Sequence, residues 1–200
     1  MAKTCQYFFA PQSPWAYLGH ARFVALAKRH GTQIDLKPCD LEKVFDASGG
    51  LPLVKRPLQR QAYRLLELKR WSDFLRIPLN LQPRFFPVTP HAAARIIIAG
   101  NRLHGTDAAL ELTGAIMRAV WAEDRDIADP DTLAAIAAAW KQDGRALLEL
   151  AASEDIQREY NRLTDEAVAA NVFGSPWYIV DGEPFWGQDR LDFVERALAR

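Results

Sequence analysis

The chain has 200 residues, of which 49% are hydrophobic, enough for a sizeable core. Its 25 lysine and arginine residues balance its 25 aspartate and glutamate residues, and this even charge argues against a nucleic-acid-binding surface, which needs a basic excess. No apolar run reaches membrane-spanning length and residues 1–5 contain no signal-peptide core, so we expect a cytoplasmic protein without a membrane partner.

The first forty residues follow the order strand, helix, strand. Residues 4–9 are rich in aromatic and β-branched side chains, and residues 33–39 alternate between apolar and polar types; both patterns favour strands. Between them, residues 17–30 show helical spacing of apolar side chains, and Gly31 is suited to end that helix. This order predicts a βαβ unit with parallel strands and a right-handed crossover.

The start of the first helix is the most informative stretch of the sequence. Ser13 can act as the N-cap, and Pro14 fits the first helical position, where a missing N–H costs nothing. The free N–H groups and the positive end of the helix dipole stabilise an anion or a thiolate at such a place. The same residues fit equally well a helix cap with no further function.

The middle of the chain is dominated by helical patterns. A loop at residues 49–52 precedes a basic segment at residues 55–60, and apolar side chains then recur at helical spacing over residues 59–76. A proline-rich, aromatic loop follows at residues 78–90. After this loop we predict a succession of helices over residues 91–104, 106–122, 130–142, 144–152 and 153–170.

The period of the pattern changes again near the end of the chain. Residues 177–180 and 184–187 favour two strands, and the Asp181-Gly182 dipeptide between them is a strong signal for a two-residue hairpin. A last helix is predicted over residues 189–199, with Asp189 as its N-cap.

Together these elements predict an α/β protein with a thioredoxin-like domain: βαβ at the start, ββα at the end, and a four-stranded mixed sheet built from both. We assign residues 1–41 and 171–200 to this domain, and residues 42–170 to a large all-helical insertion. A thioredoxin-like frame brings the helix start at Ser13 close to the pair Ser175-Pro176, whose peptide bond is then expected to be cis. Because only about 5% of X-Pro bonds are cis, this expectation rests on the fold.

Cysteines and histidines add little chemistry of their own. Cys5 and Cys39 lie in apolar, strand-like runs and are expected to act as small hydrophobic residues. No Cys-x-x-Cys occurs, which excludes the usual dithiol chemistry. The four histidines show no metal-ligand spacing, so we predict no metal site and assign them to the surface or to helix ends: His20, His30, His91 and His104.

Five segments carry a resemblance to a known family. They are SPWAYL at residues 13–18, residues 60–71, VWAEDRDI at 120–127, FGSP at 173–176 and FWGQDRL at 185–191. Each segment is a weak signal alone, but their order and spacing are specific, and they extend over nearly the whole chain. The chain resembles the kappa-class glutathione transferases and the bacterial 2-hydroxychromene-2-carboxylate isomerases, relatives of the disulfide-forming oxidoreductases with a helical insertion.

The resemblance implies glutathione as the cofactor. The family carries serine where its redox relatives carry the nucleophilic cysteine, which makes Ser13 the expected catalytic residue, close to the glutathione sulfur. Ala16 stands at the position of the second cysteine. The backbone of Ser175, before the expected cis-Pro176, is implied to pair with the cysteinyl unit of glutathione.

The start of the last helix is implied to hold the charged end of glutathione. Gln188, Asp189 and Arg190 would bind its γ-glutamyl unit through the N–H groups of the helix and the Asp189 carboxylate. Arg60 matches a basic residue that contacts glutathione in the kappa class. The alternatives are a plain N-cap for Asp189 and solvent-exposed side chains for Arg60 and Arg190.

The second ligand implied by the resemblance is a small aromatic carboxylate. We expect it to lie against Trp15, Phe45, Phe85 and Phe86, with Lys55 holding its carboxylate. Aromatic side chains belong more often to a core than to a binding pocket, and a core role is the alternative for them.

Three functions are compatible with these residues. The first is a glutathione-dependent isomerase that interconverts 2-hydroxychromene-2-carboxylate and trans-o-hydroxybenzylidenepyruvate, or a related intermediate of aromatic catabolism, through reversible addition of the glutathione thiolate. The second is a kappa-like transferase or peroxidase, which consumes glutathione. The third is a non-catalytic thioredoxin-like binding module. The resemblance favours the isomerase and a homodimer.

Overall fold

The computed structural model describes residues 3–140 and 143–200. Its strands are β1 (Thr4–Phe9), β2 (Gln33–Pro38), β3 (Trp177–Val180) and β4 (Glu183–Trp186). Its helices are α1 (Pro14–Arg29), α2 (Leu41–Ser48), α3 (Leu58–Leu75), α4 (His91–Trp121), α5 (Pro130–Ala139), α6 (Gly144–Ala151), α7 (Glu154–Ala169) and α8 (Leu191–Leu198). The end of the helix predicted over residues 130–142 and the first two residues of the predicted thioredoxin-like domain lie outside the described residues.

The sheet has the strand order β2-β1-β3-β4. β1 pairs in parallel with β2 and antiparallel with β3, so that Tyr7 stands opposite Leu36 on one side and Tyr178 on the other. The β3–β4 hairpin turns at Asp181 and Gly182, whose φ angles of 50° and 84° suit the turn that this dipeptide favours. The predicted α/β fold with a four-stranded mixed sheet is confirmed.

Helix α1 begins as the sequence predicts. Ser13 is its N-cap, with an extended backbone and a side-chain oxygen that accepts from the N–H of Ala16 at 3.2 Å. Pro14 occupies the first helical position. Gly31 follows the helix with a φ of 59°, a left-handed conformation that glycine adopts without a steric penalty. The cap places the Ser13 hydroxyl at the carboxyl end of β1.

Helix α2 is an element that the sequence analysis did not predict. Asp40 starts it: its carboxylate accepts from the N–H of Glu42 at 3.0 Å, and its own N–H donates to the Thr164 hydroxyl of α7 at 3.0 Å. Val44 is the buried residue of α2. The apolar side of this helix, formed by Leu41, Val44 and Phe45, extends over little more than one turn, which is too short for periodicity to identify a helix.

Helix α4 contains the break that the sequence predicts between residues 104 and 106. Gly105 lies within it with φ 80° and ψ 174°, far from helical values, while the flanking segments are helical. Although α4 extends over 31 residues, none of the helices in the described ranges is both long enough and apolar enough to cross a membrane.

The final helix starts differently from the prediction. Gln188–Arg190 forms a short 3₁₀ turn, and α8 then begins at Leu191 without a side-chain cap. The prediction that Asp189 is the N-cap is wrong, because its carboxylate pairs with the guanidinium of Arg190 at 2.5 Å instead of turning back to the helix N–H groups.

The larger of two hydrophobic clusters among the described residues extends from the sheet into the helices. It includes Tyr7 and Tyr178 of the sheet, Phe23 of α1 and Trp121 of α4, all fully buried. The division into a domain at residues 1–41 and 171–200 and an insertion at 42–170 stays a prediction.

Both cysteines are buried and free, as predicted. Burial raises the pKa of the Cys5 thiol to about 12 and that of the Cys39 thiol to about 12. A thiol with such a pKa is protonated at neutral pH and is a poor nucleophile, since the thiolate is the reactive form.

His20 is a buried residue, and its assignment to the surface or a helix end is wrong. It is only 5% exposed. Its Nε2 donates to the carbonyl of Leu110 on α4 at 2.9 Å, so its Nδ1 is the acceptor for the Tyr7 hydroxyl at 3.3 Å. Burial lowers the pKa of His20 to about 4, which keeps the ring neutral. His20 therefore joins α1, β1 and α4 inside the core.

Helix α3 has the predicted helical spacing but leaves large apolar side chains in solvent. Leu58, Leu66 and Phe74 are 78%, 53% and 76% exposed. Leu68 is the fully buried residue of this helix. Helix α3 is thus a surface element whose inner side borders the candidate site.

Candidate active site

A cavity of about 1100 Å³ lies where the start of α1, the loop before β3 and the turn before α8 face α2, α3 and the loop before α4. This volume exceeds the ~300–1,000 Å³ typical of a pocket for one small ligand. It therefore leaves room for two small molecules side by side. The predicted site residues that line it are Ser13, Trp15, Phe45, Phe86, Arg60, Ser175, Gln188, Asp189 and Arg190.

The Ser13 hydroxyl is hydrogen-bonded on both sides. Besides capping α1, it donates to the backbone carbonyl of Ser175 at 3.2 Å. The side chain is 6% exposed, so it reaches the cavity without being in open solvent. The N–H of Trp15, in the same helical turn, has no hydrogen bond to any residue that the structure describes. A hydroxyl and an unpaired N–H at a helix N-terminus are suited to stabilise a thiolate.

The loop before β3 is held against the start of α1. Its Ser175-Pro176 peptide bond is cis, as predicted from the fold. The Ser175 hydroxyl accepts from the N–H of Ala10 at 3.0 Å, and the carbonyl of Pro176 accepts from the N–H of Gly187 at 3.0 Å. Pro176 itself is buried behind the cavity wall, whereas Ser175 borders the cavity.

The turn before α8 approaches α1 closely. A Cβ on Gly19 would stand 2.8 Å from the Cβ of Gln188, so only glycine permits this approach. Arg22 of α1 donates to the side-chain oxygen of Gln188 at 2.8 Å and fixes this buried residue at the cavity wall. Asp189 and Arg190 follow as an exposed ion pair that borders the cavity.

Three arginines line the cavity on the side of α3: Arg56, Arg60 and Arg64. Within the described ranges, none of them forms an ion pair with a carboxylate. Burial and the charge of Arg56 lower the pKa of Arg64 to about 10, and burial and the charge of Arg60 lower the pKa of Arg56. The three guanidinium groups give this side of the cavity a positive potential, which attracts anions.

The sequence analysis named Arg60 but missed Arg64. Arg64 is half-buried, with its guanidinium carbon 5.3 Å from the centre of the Phe86 ring and 5.7 Å from that of Trp121. The signal that could have indicated it is the spacing of Arg60 and Arg64, which are four residues apart and therefore share one side of the helix.

The aromatic wall differs from the predicted one by a single residue. Trp15, Phe45 and Phe86 line the cavity, but Phe85 lies outside the lining, with Arg84 over its ring. Adjacent residues in a loop point in different directions, so the prediction for Phe85 is not met, while Phe86 faces inward.

The expected cation Lys55 also lies outside the cavity lining. It is exposed at the end of a short 3₁₀ turn, Leu53–Lys55. The next residue, Arg56, faces the cavity instead: its Nε donates to the carbonyl of Leu51 at 2.7 Å and its guanidinium lies over the Phe45 ring. The wall thus has a cation, but not the lysine that the sequence analysis proposed.

Within the described residues, no group of three or more histidine, cysteine, aspartate or glutamate side chains is arranged to hold a metal ion.

Comparison with known proteins gives the family of this chain. A profile described as the DSBA-like thioredoxin domain matches residues 4–199. The chain is 30% identical over 199 residues to the 2-hydroxychromene-2-carboxylate isomerase of Sphingobium xenophagum, with 99% of each protein covered. It is 29% identical over 198 residues to the protein of that name from Pseudomonas putida, covering 97% of this chain and 93% of that one.

A solved structure of a 2-hydroxychromene-2-carboxylate isomerase is similar along the whole fold. It aligns with a TM-score of 0.78 at 26% sequence identity, and the alignment covers 98% of this chain and 95% of that one. The likeness therefore includes the helical middle of the chain as well as the sheet.

Proposed function

The chain belongs to the DSBA-like thioredoxin domain family and is related to 2-hydroxychromene-2-carboxylate isomerases, and on that basis we propose that it is a glutathione-dependent isomerase. Its substrates are 2-hydroxychromene-2-carboxylate and trans-o-hydroxybenzylidenepyruvate, or closely related aromatic acids. The observation that carries the proposal is the Ser13 hydroxyl at the N-terminus of α1, inside a cavity also lined by three arginines that form no ion pair within the described residues.

The donor groups of the cavity fit glutathione. Its thiol requires a donor and a positive potential, which the Ser13 hydroxyl and the start of α1 supply. Its two carboxylates require cations, and Arg60 and Arg190 border the cavity. Its ammonium group requires an acceptor, for which the Asp189 carboxylate is available beside Arg190.

The energy that Ser13 has to supply is moderate. A free thiol has a pKa of about 8.5, and each unit of depression stabilises the thiolate by about 1.36 kcal/mol. A bound thiol with a pKa lower by ~2 units therefore needs ~3 kcal/mol, which one hydrogen bond to a charged group together with the helix end can provide.

Ser13 has to change its hydrogen bond in order to act. In the structure the hydroxyl donates to the Ser175 carbonyl. When it donates to a thiolate, this carbonyl is released and can accept a backbone N–H from a cysteinyl unit. Ser13 still accepts from Ala16 throughout, because this bond uses its oxygen lone pair, so the cap of α1 is kept.

Glutathione, when bound, would supply the nucleophilic thiolate for reversible addition to a conjugated double bond. The residues of the chain bind glutathione and the substrate and orient them toward each other. Ser13 and the N–H of Trp15 stabilise the sulfur charge, and Trp15, Phe45 and Phe86 provide flat surfaces against which an aromatic ring can stack. Isomerisation requires no oxidant, in keeping with Ala16 and Ser13 at the two cysteine positions.

The test is an absorbance assay of the substrate pair with a thiol count at the end. An isomerase converts many equivalents of substrate while free glutathione stays constant, and omission of glutathione stops the reaction. Stoichiometric loss of thiol would assign the protein to the transferases instead. Absence of glutathione binding in calorimetry would leave only the non-catalytic binding module.

The homodimer stays a prediction. An interface between two copies would have to bury apolar surface, and the exposed Leu58, Leu66 and Phe74 of α3 are the natural candidates. Sedimentation equilibrium tests this directly: a homodimer should dissociate in the double variant Leu66→Glu/Phe74→Glu, whereas a wild type that sediments as a monomer contradicts the prediction.

A further inference from the structure

We propose that Arg64 binds the carboxylate of the aromatic substrate, and that this contact selects aromatic acids over their neutral analogues. The inference rests on the proposed function, and it assigns the second ligand of the cavity to the space beside α3. The observation behind it is a half-buried guanidinium that borders the cavity and has no hydrogen bond or ion pair within the described residues.

A cation in this position needs a partner. The guanidinium carbon of Arg64 lies over two aromatic rings, 5.3 Å from the centre of Phe86 and 5.7 Å from that of Trp121. Such contacts stabilise the charge of the guanidinium but offer no hydrogen-bond acceptor to its five N–H donors. Because Arg64 is half-buried and borders the cavity, a ligand in the cavity can supply these acceptors in place of water. A carboxylate matches the planar fork with two parallel hydrogen bonds.

Trp121 places Arg64 on the reactive side of the cavity. The indole N–H of Trp121 donates to the carbonyl of Gln12 at 3.2 Å, and Gln12 directly precedes Ser13. The Phe86 ring packs on Trp121 with 4.7 Å between the ring centres. The guanidinium of Arg64 thus lies over rings that are fixed to the chain next to the thiol site. A carboxylate bound there would lie in the same cavity as the Ser13 hydroxyl.

The other cations on this wall are less suited to the task. Arg56 is already held by the carbonyl of Leu51 at 2.7 Å and lies over Phe45. Arg60 is exposed, as expected for a residue that holds a flexible peptide carboxylate. Of the acids on the same wall, Glu67 is bound to Arg70 at 2.6 Å and does not occupy Arg64.

The ligand that fits is a flat aromatic ring with a carboxylate on a short conjugated chain. Its ring can stack on the aromatic wall at about 4.5–7 Å while the carboxylate meets Arg64. A neutral ester or amide of the same molecule keeps the ring contacts but loses the charge-assisted pair. Arg64 therefore determines specificity for the acid. The glycine carboxylate of glutathione is the competing anion, and the experiment separates the two.

The test compares Arg64→Gln with Lys69→Gln, a matched variant on the exposed side of α3 in which neither the lysine nor its partner Asp73 lines the cavity. Binding of trans-o-hydroxybenzylidenepyruvate and of its methyl ester is followed by tryptophan fluorescence, and binding of glutathione by calorimetry. In Arg64→Gln we expect acid affinity to fall at least ~10-fold, with ester and glutathione affinities unchanged. In Lys69→Gln all three affinities should equal those of the wild type.

Two results would overturn the assignment. Unchanged acid affinity in Arg64→Gln would show that the carboxylate binds elsewhere. A loss confined to glutathione would assign Arg64 to the glycine carboxylate. If Arg64→Gln fails to fold, Arg64→Lys keeps the charge and removes the planar fork, and the acid should still bind more weakly than in the wild type. Failure of glutathione to bind the wild type would refute the proposed isomerase, but the comparison of acid and ester would still test Arg64.

Discussion

The hydroxyl of Ser13 donates a hydrogen bond to the backbone carbonyl of Ser175, 3.2 Å away, although the two residues are 162 positions apart. The bond joins the start of α1 to the loop before β3. These are the two places from which a thiol in the cavity would be held. The same hydroxyl is both a cap and the donor that a thiolate would need, and the two roles can be separated by experiment.

We expect Ser13→Ala to fold, to lower turnover by at least about tenfold and to raise the pKa of the bound glutathione thiol, because the donor to the sulfur is lost. Loss of the cap should also cost about 1 kcal/mol of unfolding free energy. The pKa is measured from the ultraviolet absorbance of the bound thiolate as a function of pH.

Ser153→Ala is the matched control for Ser13→Ala. Ser153 caps α7 with the same type of bond, its oxygen accepting from the N–H of Ile156 at 3.4 Å, and it does not line the cavity. Ser153→Ala should lower the unfolding free energy by a similar amount and leave the pKa of the bound glutathione thiol unchanged. An unchanged pKa in Ser13→Ala would remove Ser13 from the proposed chemistry and leave it as a cap only.

Asp189→Ala should weaken glutathione binding by ~1–3 kcal/mol, since the ammonium of the γ-glutamyl unit loses its charged partner. The measurement is the dissociation constant by calorimetry. Asp192→Ala removes an exposed acid in the first turn of α8, outside the cavity lining, and should bind glutathione as the wild type does. Equal dissociation constants for Asp189→Ala and the wild type would contradict the predicted anchor.

His20 makes stability depend on pH. The folded-state pKa of about 4 is depressed below 6.5, the value for an unperturbed histidine. The unfolded chain therefore binds more protons in this range, and stability is full above about pH 6.5 and is lost as the pH falls to about 4. The loss is on the order of 3 kcal/mol, because each pKa unit corresponds to about 1.36 kcal/mol.

Chemical denaturation of the wild type and of His20→Gln across this pH range measures the effect. Carboxylates titrate in the same pH range in both proteins, so the difference between the two curves of stability against pH isolates the contribution of His20. The difference in unfolding free energy between the wild type and His20→Gln should change steadily between about pH 6.5 and pH 4. Parallel curves would mean that the buried ring does not titrate as its environment implies.

The cysteine thiols should be unreactive in the folded protein. Burial raises the pKa of each thiol to about 12, so neither should react with Ellman's reagent until the chain is denatured, when both should. A double variant, Cys5→Ala/Cys39→Ala, should keep its glutathione dependence. Rapid modification of a native thiol, with loss of activity, would indicate sulfur chemistry that the buried positions do not support.

The backbone frame of the site could be predicted from the sequence because local rules decide it. The cap at Ser13, the hairpin at Asp181 and Gly182, and the break at Gly105 each depend on the chemistry of one or two residues. The cis bond before Pro176 required one further step, the recognition of the fold from the order of its elements.

The side chains that would bind the aromatic substrate could not be predicted, because their positions depend on packing between distant segments. Periodicity does not distinguish Phe85 from Phe86 in an irregular loop, nor Lys55 from Arg56 at the end of a short turn. The burial of His20 could not be predicted for the same reason. Its polarity suggests the surface, but hydrogen-bond partners on β1 and α4 make burial possible. Only the tertiary contact decides such positions.

The pairing of β1 with two partners fixes an order of assembly. β1 can pair with β2 as soon as the first crossover helix exists, but its antiparallel partner β3 follows only after α2 to α7. A ribosome-bound chain therefore exposes the inner edge of β1 during most of its synthesis, and closing so long a loop slows folding. Mutations in β3 or the hairpin after it should thus reduce the yield of folded protein in cells more than their effect on equilibrium stability implies.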